Sequence, residues 1–205
     1  MYVPSHFRED DPRRLHAIMR RHGFATLVTV DADGAPVVTH LPFVLDAERG
    51  PLGTLLGHVA RANPHWRALE AGRPSLAIFV GPHAYVSPAW YADGPAVPTW
   101  NYVAVHAHGR ARLVTDAARV HAHLARTVAT YESAGWRMDA LPEAYVAGMA
   151  KAIVAFELPI ERLQGKAKLG QNKSAADRAG AVAALHAAGD PAAGALADLM
   201  ATWAA

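Results

Sequence analysis

The segment 57–64 (GHVARANP) combines side chains and a backbone pattern that can bind a phosphate. The spacing predicts that a strand ends at Gly57 and that a helix begins directly after it, with Arg61 in the first turn. Backbone N–H groups at a helix start lack partners within the helix, and the helix dipole makes that end positive. Arg61 can add a forked, charge-assisted contact to a phosphate. The competing interpretation is that His58 or Asn63 only caps the helix while Arg61 faces solvent.

A second candidate is the aromatic stretch 81–102. Its large rings are Tyr85, Trp90, Tyr91, Trp100 and Tyr102. Tyrosine and tryptophan rings combine apolar faces with a polar group at the edge, which suits the wall of a site for a planar ligand. The amide of Asn101 both donates and accepts, as reading a ring edge requires. Taken alone, the stretch fits packing onto its own domain or a partner subunit better than it fits ligand binding.

Three lysines fall within 166–173 (KAKLGQNK), which predicts either an anion-binding loop or a solvated connection. A charge run taken alone favours the solvated connection.

His106 and His108 are two apart on a predicted strand, so both face one side, as metal ligands can. No third ligand has a fitting spacing, and His121 and His123 diverge on a predicted helix. We therefore predict no metal site and, because no serine has nucleophile-elbow glycines, no catalytic residue.

The composition limits the classes of protein. The chain has 205 residues, of which 52% are hydrophobic and 19% charged, and its formal net charge is +2. This is enough for one well-cored domain with a helical appendage. The absence of cysteine excludes disulfides, thiolate metal sites and cysteine nucleophiles. Because the first residues are polar and no run approaches the ~18 apolar residues of a membrane span, we expect a soluble cytoplasmic protein with no membrane partner.

Short strands separated by turn signals must position these residues. The predicted strands are 24–30, 35–45, 52–57, 75–80, 101–114 and 153–163. The predicted helices are 12–22, 116–131, one from residue 142, and two alanine-rich helices after Ser174. Three prolines make 88–98 a loop. The pattern favours an antiparallel barrel or sandwich over a doubly wound sheet. We predict one domain over 1–170 and a C-terminal helical tail over 171–205.

The predicted helices offer little for direct contact with DNA. A recognition helix presents exposed basic and amide side chains to the major groove. The last helix, 191–203, contains Asp198 and no lysine or arginine. The first helix carries the better basic face, for which solvated surface is the favoured interpretation. Its basic residues are Arg13, Arg14, Arg20 and Arg21.

Five sequence blocks taken together resemble the PaiB family, the FMN-binding negative transcriptional regulators. The blocks are MYVPSHF at 1–7, GHVARANPHW at 57–66, GPHAYVSP at 81–88, VPTWNY at 97–102 followed by Val105-His106, and GKAKLGQN at 165–172. They stand in the family's order and span most of the chain. One departure is Gly170, which occupies the serine position of the family's Lys-Leu-Ser-Gln-Asn pattern.

The resemblance implies a mainly β fold with α-helices. This is an FMN-binding split β-barrel of antiparallel, Greek-key type, related to pyridoxamine-phosphate oxidase, with peripheral helices and a C-terminal helical tail. It also implies an FMN site at a homodimer interface. Carried over by position, the residues lining the flavin are Thr39, His40, Leu41 and Pro42. Gly57 and His58 would lie beside the flavin ring, and Asn63 would lie close to them. Arg61 would bind the phosphate of FMN. Trp100, Asn101 and Tyr102 would reach it from the neighbouring subunit, and Lys166, Lys168 and Gln171 would close the site.

The function expected from the resemblance is a homodimeric, FMN-binding negative transcriptional regulator. Flavin binding or redox state would bias the shape of the dimer, and the dimer would act on transcription directly or through a partner. DNA is thus a candidate partner, although no recognition helix supports direct contact. A regulator is favoured over an enzyme. The alternatives are a flavin-dependent oxidoreductase acting on a small molecule and a haem-binding split-barrel protein.

Overall fold

The computed structural model describes residues 1–92 and 94–203. Its strands are β1 (Arg8–Glu9), β2 (Phe24–Val30), β3 (Pro36–Pro42), β4 (Val44–Asp46), β5 (Thr54–Ala60), β6 (Pro74–Val86), β7 (Thr99–Arg110), β8 (Arg112–Val114) and β9 (Ile153–Lys168). Its α-helices are α1 (Pro12–Arg21), α2 (His65–Glu70), α3 (Ala117–Tyr131), α4 (Glu143–Lys151), α5 (Ala175–Ala187) and α6 (Pro191–Thr202). Asp93 of the predicted loop and residues 204 and 205 of the predicted tail lie outside the described residues.

The strands follow the order β3-β2-β6-β7-β9-β5-β4, and β1 and β8 also pair with β9. The pairs with a defined register run antiparallel. This mostly antiparallel sheet with its helices confirms the predicted mainly β fold with peripheral α-helices. No helix in the described part of the chain is long and apolar enough to cross a membrane.

The chain divides into two compact units. The terminal unit comprises residues 1–18, 80–105 and 164–205, and the central unit comprises residues 19–79 and 106–163. The strands β6, β7 and β9 each contribute residues to both units. The division of the chain at residues 170 and 171 remains a prediction.

The central unit has an aromatic and aliphatic core. The ring of Phe43 lies 5.9 Å from that of Phe79 and 6.1 Å from that of Phe156. Leu27 and Leu55 are fully buried with them. Alternation of inward apolar and outward side chains along the strands builds this core, because successive residues of a strand point to opposite faces.

The terminal unit has a helical core made by α5 and α6. The fully buried side chains here are Leu169, Leu185, Leu196 and Met200. Ser174 caps α5: its hydroxyl accepts the N–H of Asp177 at 3.1 Å.

The predicted helix start directly after Gly57 is wrong. The strand β5 continues to Ala60, and α2 begins at His65 and is six residues long. Residues 58–60 pair with residues 153–155 of β9, so the sheet ladder satisfies their backbone groups and holds them extended. Arg61 follows a strand rather than lying in the first turn of a helix. The argument for a phosphate held by helix N–H groups at this point therefore fails.

Candidate functional site

A three-residue polar network connects β3 to the start of α2 in the central unit. The Thr39 hydroxyl lies 2.8 Å from Nδ1 of His65, and Nδ2 of Asn63 donates to the same hydroxyl at 3.1 Å. Oδ1 of Asn63 accepts the backbone N–H of His65 at 3.0 Å, which fixes the amide orientation. The network therefore holds the His65 ring at Nδ1 through Thr39 and its backbone through Asn63.

The hydrogen bond between Thr39 and His65 is compatible with either tautomer of the ring. The Thr39 hydroxyl accepts from Asn63 and can in addition either donate to Nδ1 of His65 or accept from it, because a hydroxyl has one proton and two lone pairs. Nε2 is buried and has no hydrogen-bond partner in the described residues. Burial lowers the pKa of His65, so the ring is neutral near pH 7. A buried ring nitrogen without a hydrogen-bond partner is uncommon.

His58, predicted to lie beside the flavin ring, forms a pair with His123 of α3. Nδ1 of His58 is 3.4 Å from Nε2 of His123, and the rings meet edge to face. Burial and the neighbouring imidazole lower the pKa of His123 to about 4, and burial also lowers the pKa of His58. Both rings are therefore neutral near pH 7. Nδ1 of His123 is a second buried nitrogen with no partner in the described residues.

Arg61, predicted to bind the phosphate, is exposed and donates to backbone carbonyls at and just after the end of α4. Its Nε donates to the carbonyl of Lys151 at 2.8 Å, and one terminal nitrogen donates to the carbonyl of Ile153 at 3.0 Å. The first contact satisfies a carbonyl in the last turn of α4, where four carbonyls lack partners within the helix, and the second binds the start of β9. Arg61 also borders a cavity of about 830 Å³ that none of the other predicted cofactor residues lines. Its phosphate contact remains a prediction.

The other predicted residues of the central unit lie on two faces of the sheet. Leu41 is buried, and a Cβ on Gly57 would lie 3.1 Å from Leu41 and 2.8 Å from Phe156, so both positions belong to the core. His40 is exposed and bonds the hydroxyl of Thr26, its cross-strand partner, at 3.0 Å. Pro42 is half-buried at the end of β3.

In the terminal unit, Lys166 and Lys168 lie on the same face of β9. Nζ of Lys166 donates to the carbonyl of Tyr2 at 3.2 Å, and Nζ of Lys168 donates to the carbonyl of Trp100 at 2.8 Å and to the hydroxyl of Thr99. Nζ of Lys166 also lies 5.6 Å and 5.2 Å from the rings of Tyr2 and Tyr102. Burial and the charge of Lys166 lower the pKa of Lys168.

The predicted aromatic residue Trp100 joins a ring cluster on the neighbouring strand β6. Its ring centroid is 6.3 Å from His83 and 6.4 Å from Tyr85. Trp100 remains 54% exposed, so its ring can still receive a ligand. Asn101 instead is buried and its amide points at the sulfur of Met200 at 3.5 Å. Asn101 therefore packs onto its own unit, and the ligand contact of Trp100 remains a prediction.

Gln171 closes a turn. Its Oε1 accepts the N–H of Leu169 at 2.8 Å and its Nε2 donates to the carbonyl of Ala167 at 2.6 Å. Gly170, between them, has a φ of +79°, a conformation that favours glycine over the serine of the family pattern. The oxygen and the nitrogen of the Gln171 side-chain amide thus both bond to the backbone. The contact of Gln171 with a cofactor remains a prediction.

Sequence reasoning missed His65 and the role of His123. His65 lies inside a block that carries the resemblance, and its two-residue spacing from Asn63 was a usable signal. His123 was considered only as a metal ligand. Among residues 1–92 and 94–203, no group of three or more His, Asp or Glu side chains is placed to hold a metal ion.

Comparison with known protein families gives one match, to the family described as "Putative FMN-binding domain", over residues 1–162. "Protease synthase and sporulation protein PAI 2" of Bacillus subtilis is 33% identical over 205 residues, covering 98% of this chain and 96% of that protein. "Uncharacterized protein AN0679" of Emericella nidulans is 31% identical over 241 residues, covering 98% and 96%.

Two solved structures show the same fold. The flavocytochrome Anf3 of Azotobacter vinelandii matches with a TM-score of 0.64 at 20% identity, covering 81% of this chain and 72% of that one. The FAD and heme binding protein of Mycobacterium smegmatis matches with a TM-score of 0.57 at 19% identity, covering 89% and 80%. Together with the antiparallel strand order, these likenesses confirm the predicted split β-barrel.

Proposed function

Because this chain belongs to the PaiB family of FMN-binding proteins, we propose that it is a negative transcriptional regulator that binds FMN and works as a homodimer. The observation that carries the proposal is the 33% identity to the PAI 2 protein, which extends over 98% of this chain. That protein's name connects it with protease synthesis and sporulation, processes that a regulator of gene expression would control.

The residues of the central unit fit a flavin cofactor. FMN, when bound, supplies a ring that accepts and returns electrons. It also presents acceptor atoms on its ring edge and phosphate, and the buried Nε2 of His65 has no hydrogen-bond partner in the described residues. We propose that Thr39, Asn63 and His65 hold the cofactor as a unit. In the proposed arrangement Thr39 donates to Nδ1 of His65, which leaves the ring proton on Nε2 for donation to the cofactor.

The other residues predicted to bind the cofactor are also part of the proposal, although fewer observed side-chain contacts support them. Arg61 retains one terminal nitrogen that makes no hydrogen bond to the described residues, and this nitrogen can reach a phosphate oxygen. His40 and Pro42 lie on the exposed part of β3, and His58 presents a neutral ring.

The homodimer proposal rests on an apolar face of the β2–β3 hairpin. Phe24 is 70% exposed, Val38 51% and Val30 44%, although each lies within a strand. Residues 24, 28 and 30 of β2 pair with residues 42, 38 and 36 of β3, so their side chains share one face. The polar pair Thr26–His40 interrupts this face between Phe24 and Val38, but exposed apolar side chains on a sheet still favour association with another protein surface. A second copy of the chain is the partner proposed.

The cofactor proposal is tested by absorbance from 300 to 600 nm before and after FMN addition and desalting. Wild-type protein should retain flavin bands, and His65→Leu should bind FMN about tenfold more weakly, since removing one hydrogen bond to a charged group costs about tenfold in affinity. His121→Leu, an exposed histidine of the same unit, is the matched control. Wild-type protein that retains no FMN would refute the cofactor, and equal FMN affinity of wild type and His65→Leu would refute the role of His65.

The dimer and the regulatory role need separate measurements. Light scattering after gel filtration should give twice the chain mass for wild type and one chain mass for Val38→Glu, which places a charge on the apolar face. Genomic DNA fragments should be retained specifically by the dimer at about 0.2 M salt, where non-specific phosphate contacts weaken. A monomeric wild type would refute the dimer. Retention of every fragment alike, or of none in a crude extract that supplies partners, would refute the regulator.

A flavin-dependent oxidoreductase is the second candidate, favoured by the exposed ring cluster of Trp100, His83 and Tyr85. Exposed rings on a flavin protein can bind a planar substrate rather than a partner. Oxidation of NADH or NADPH by the FMN-loaded protein at more than the rate of free FMN would favour this candidate over the regulator.

A further inference from the structure

The central unit contains a cavity of about 830 Å³ bordered by helices α3 and α4 and by strands β8 and β9. We propose that this space, here called the helix cavity, binds an uncharged, largely apolar small molecule. The large apolar side chains on its wall are Trp66, Leu113, Val120, Leu141, Val146 and Ile153. The proposal goes beyond the flavin function and does not rest on it.

The two helices on the wall of the cavity lack a core of their own. Both lie wholly within the described residues, yet α3 buries only His123 and α4 buries none of its side chains. A helix of nine residues such as α4 is not stable in water without tertiary packing. Val146 and Ala150 of α4 line the cavity and are only half-buried. An apolar molecule in the cavity would supply the packing that α4 lacks.

The cavity is held open by the elements around it. Val154 and Ala155, both buried, form its floor on β9. The end of α4 is fixed by Arg61, whose backbone N–H donates to the carbonyl of Ala152 at 2.8 Å and whose side chain donates to the carbonyl of Lys151 at 2.8 Å. The site is therefore formed before a ligand binds, as is usual for small-molecule sites.

The size of the cavity favours a small molecule over a segment of a partner protein. Mostly apolar cavities of about 300–1,000 Å³ take ligands of drug size. A helix docked into a groove needs anchors over about eight residues, a cylinder roughly 12 Å long and 10–12 Å across, which occupies roughly 1,000 Å³ or more. The helix cavity is too small for such a helix.

The charges on the wall favour an uncharged ligand. Arg61 and Lys151 are basic, and Glu70 and Glu143 are acidic, so these four charges balance. The carboxylate of Asp139 is already in an ion pair at 2.5 Å. An ion that leaves water for an apolar cavity needs an opposite charge, and this wall offers no net charge to supply it. FMN, with its phosphate, does not match the wall, and of the residues predicted to bind it only Arg61 lines the cavity.

The test is calorimetric titration of the full-length protein at pH 7 with three ligands that share one ring system. These are uncharged 1-naphthol, anionic 1-naphthoate and cationic 1-naphthylmethylamine. We expect 1-naphthol to bind at least about tenfold more tightly than either ion, because the wall pairs with neither charge. Amide hydrogen exchange over residues 143–151 should slow when 1-naphthol is added, since the ligand packs against α4.

Variants on two walls locate the site. Val146→Asp on α4 and Val120→Asp on α3 place a carboxylate in the cavity on a short side chain. Each should weaken 1-naphthol and strengthen 1-naphthylmethylamine by about tenfold, the effect of a hydrogen bond to a charged group. Ala144→Asp and Ala118→Asp, exposed positions of the same helices that do not line the cavity, are the matched controls and should bind like wild type. Circular dichroism checks that each variant is folded.

FMN retention and molecular mass are measured on the same samples. Failure of 1-naphthol to bind wild type, equal binding of all three ligands, or wild-type binding by both cavity variants would overturn the proposal. Displacement of FMN by 1-naphthol would also overturn it, because the ligand would then occupy the cofactor site. So would a halved mass of both cavity variants, which would make the cavity an interface with a second copy. A wild type that binds 1-naphthol but no FMN refutes only the proposed flavin function.

Discussion

Lowering the pH should destabilise the protein through His123, whose ring is 5% exposed and faces His58. The pKa of His123 is lowered to about 4 in the folded protein, from a reference value of 6.5 that applies to the unfolded chain. The unfolded state therefore binds the proton first as the pH falls below 6.5. Stability is lost between pH 6.5 and about 4, and it is unaffected by this group above pH 7.

The size of the effect follows from the two pKa values. At pH 5.0 the unfolded histidine is almost fully protonated and the folded one about one-tenth protonated, which gives a loss of about 2 kcal/mol relative to pH 7.5. The full loss near pH 4 approaches ~3 kcal/mol, at 1.36 kcal/mol for each unit of pKa. Other buried histidines add to the slope in wild type, so the contribution of His123 has to be read as a difference between variants.

The assay is urea unfolding at pH 7.5 and pH 5.0, followed by far-ultraviolet circular dichroism. The His123→Leu variant should lose about 2 kcal/mol less than wild type between the two pH values. His121→Leu, which removes an exposed histidine from the same helix, should follow wild type. Equal losses in wild type and His123→Leu would refute the reasoning, since a ring kept neutral by burial must contribute to the pH dependence.

Four further substitutions test contacts of the central unit, and the free energy of unfolding is the quantity measured for each. Gly109→Ala should destabilise by at least ~2 kcal/mol because its Cβ would lie 2.2 Å from the Pro159 carbonyl oxygen. Gly148→Ala, whose Cβ meets nothing within 4 Å on α4, should stabilise by up to ~1 kcal/mol, and the same sign at both glycines would contradict the argument. Tyr131→Phe should cost about 1 kcal/mol through the lost 2.6 Å hydrogen bond to the Phe43 carbonyl, and an unchanged urea midpoint would rule this out. Glu157→Gln, which weakens pairs with the half-exposed Arg49 and Arg119, should cost roughly 1 kcal/mol at low salt and less at 1 M salt; no dependence on salt would count against the ion pairs.

Much of the fold could be predicted from local sequence signals. The turn at Asp31–Gly34, the cap at Ser174 and the β-branched run 24–30 each specify their element within a few residues. The end of β5 could not be predicted, because pairing with β9, nearly 100 residues away in sequence, overrides the local signal of Gly57. Long-range pairing of this kind leaves no local pattern in a single sequence.

The site was predicted as a set of residues but not as a set of contacts. Thr39 and Asn63 form a hydrogen bond that their residue types did not predict, and His65, which also bonds Thr39, lies two residues after Asn63. Asn101 has a side chain suited to a ligand, and helix α6 covers it. Whether a polar side chain faces a ligand or a neighbouring element depends on tertiary packing, which residue type alone does not determine.

The position of β9 near the end of the chain has a consequence for synthesis on the ribosome. β1, β5 and β8 all pair with β9, so none of these ladders can form until residues 153–168 have been made. At roughly 5–20 residues per second, β5 is exposed for several seconds after it has been made. During that interval the backbone groups that pair with β9 and the apolar side chains of β5 have to be covered by transient structure or by a chaperone. A nascent chain stalled before residue 153 should therefore be a chaperone client, whereas the released full-length chain should not.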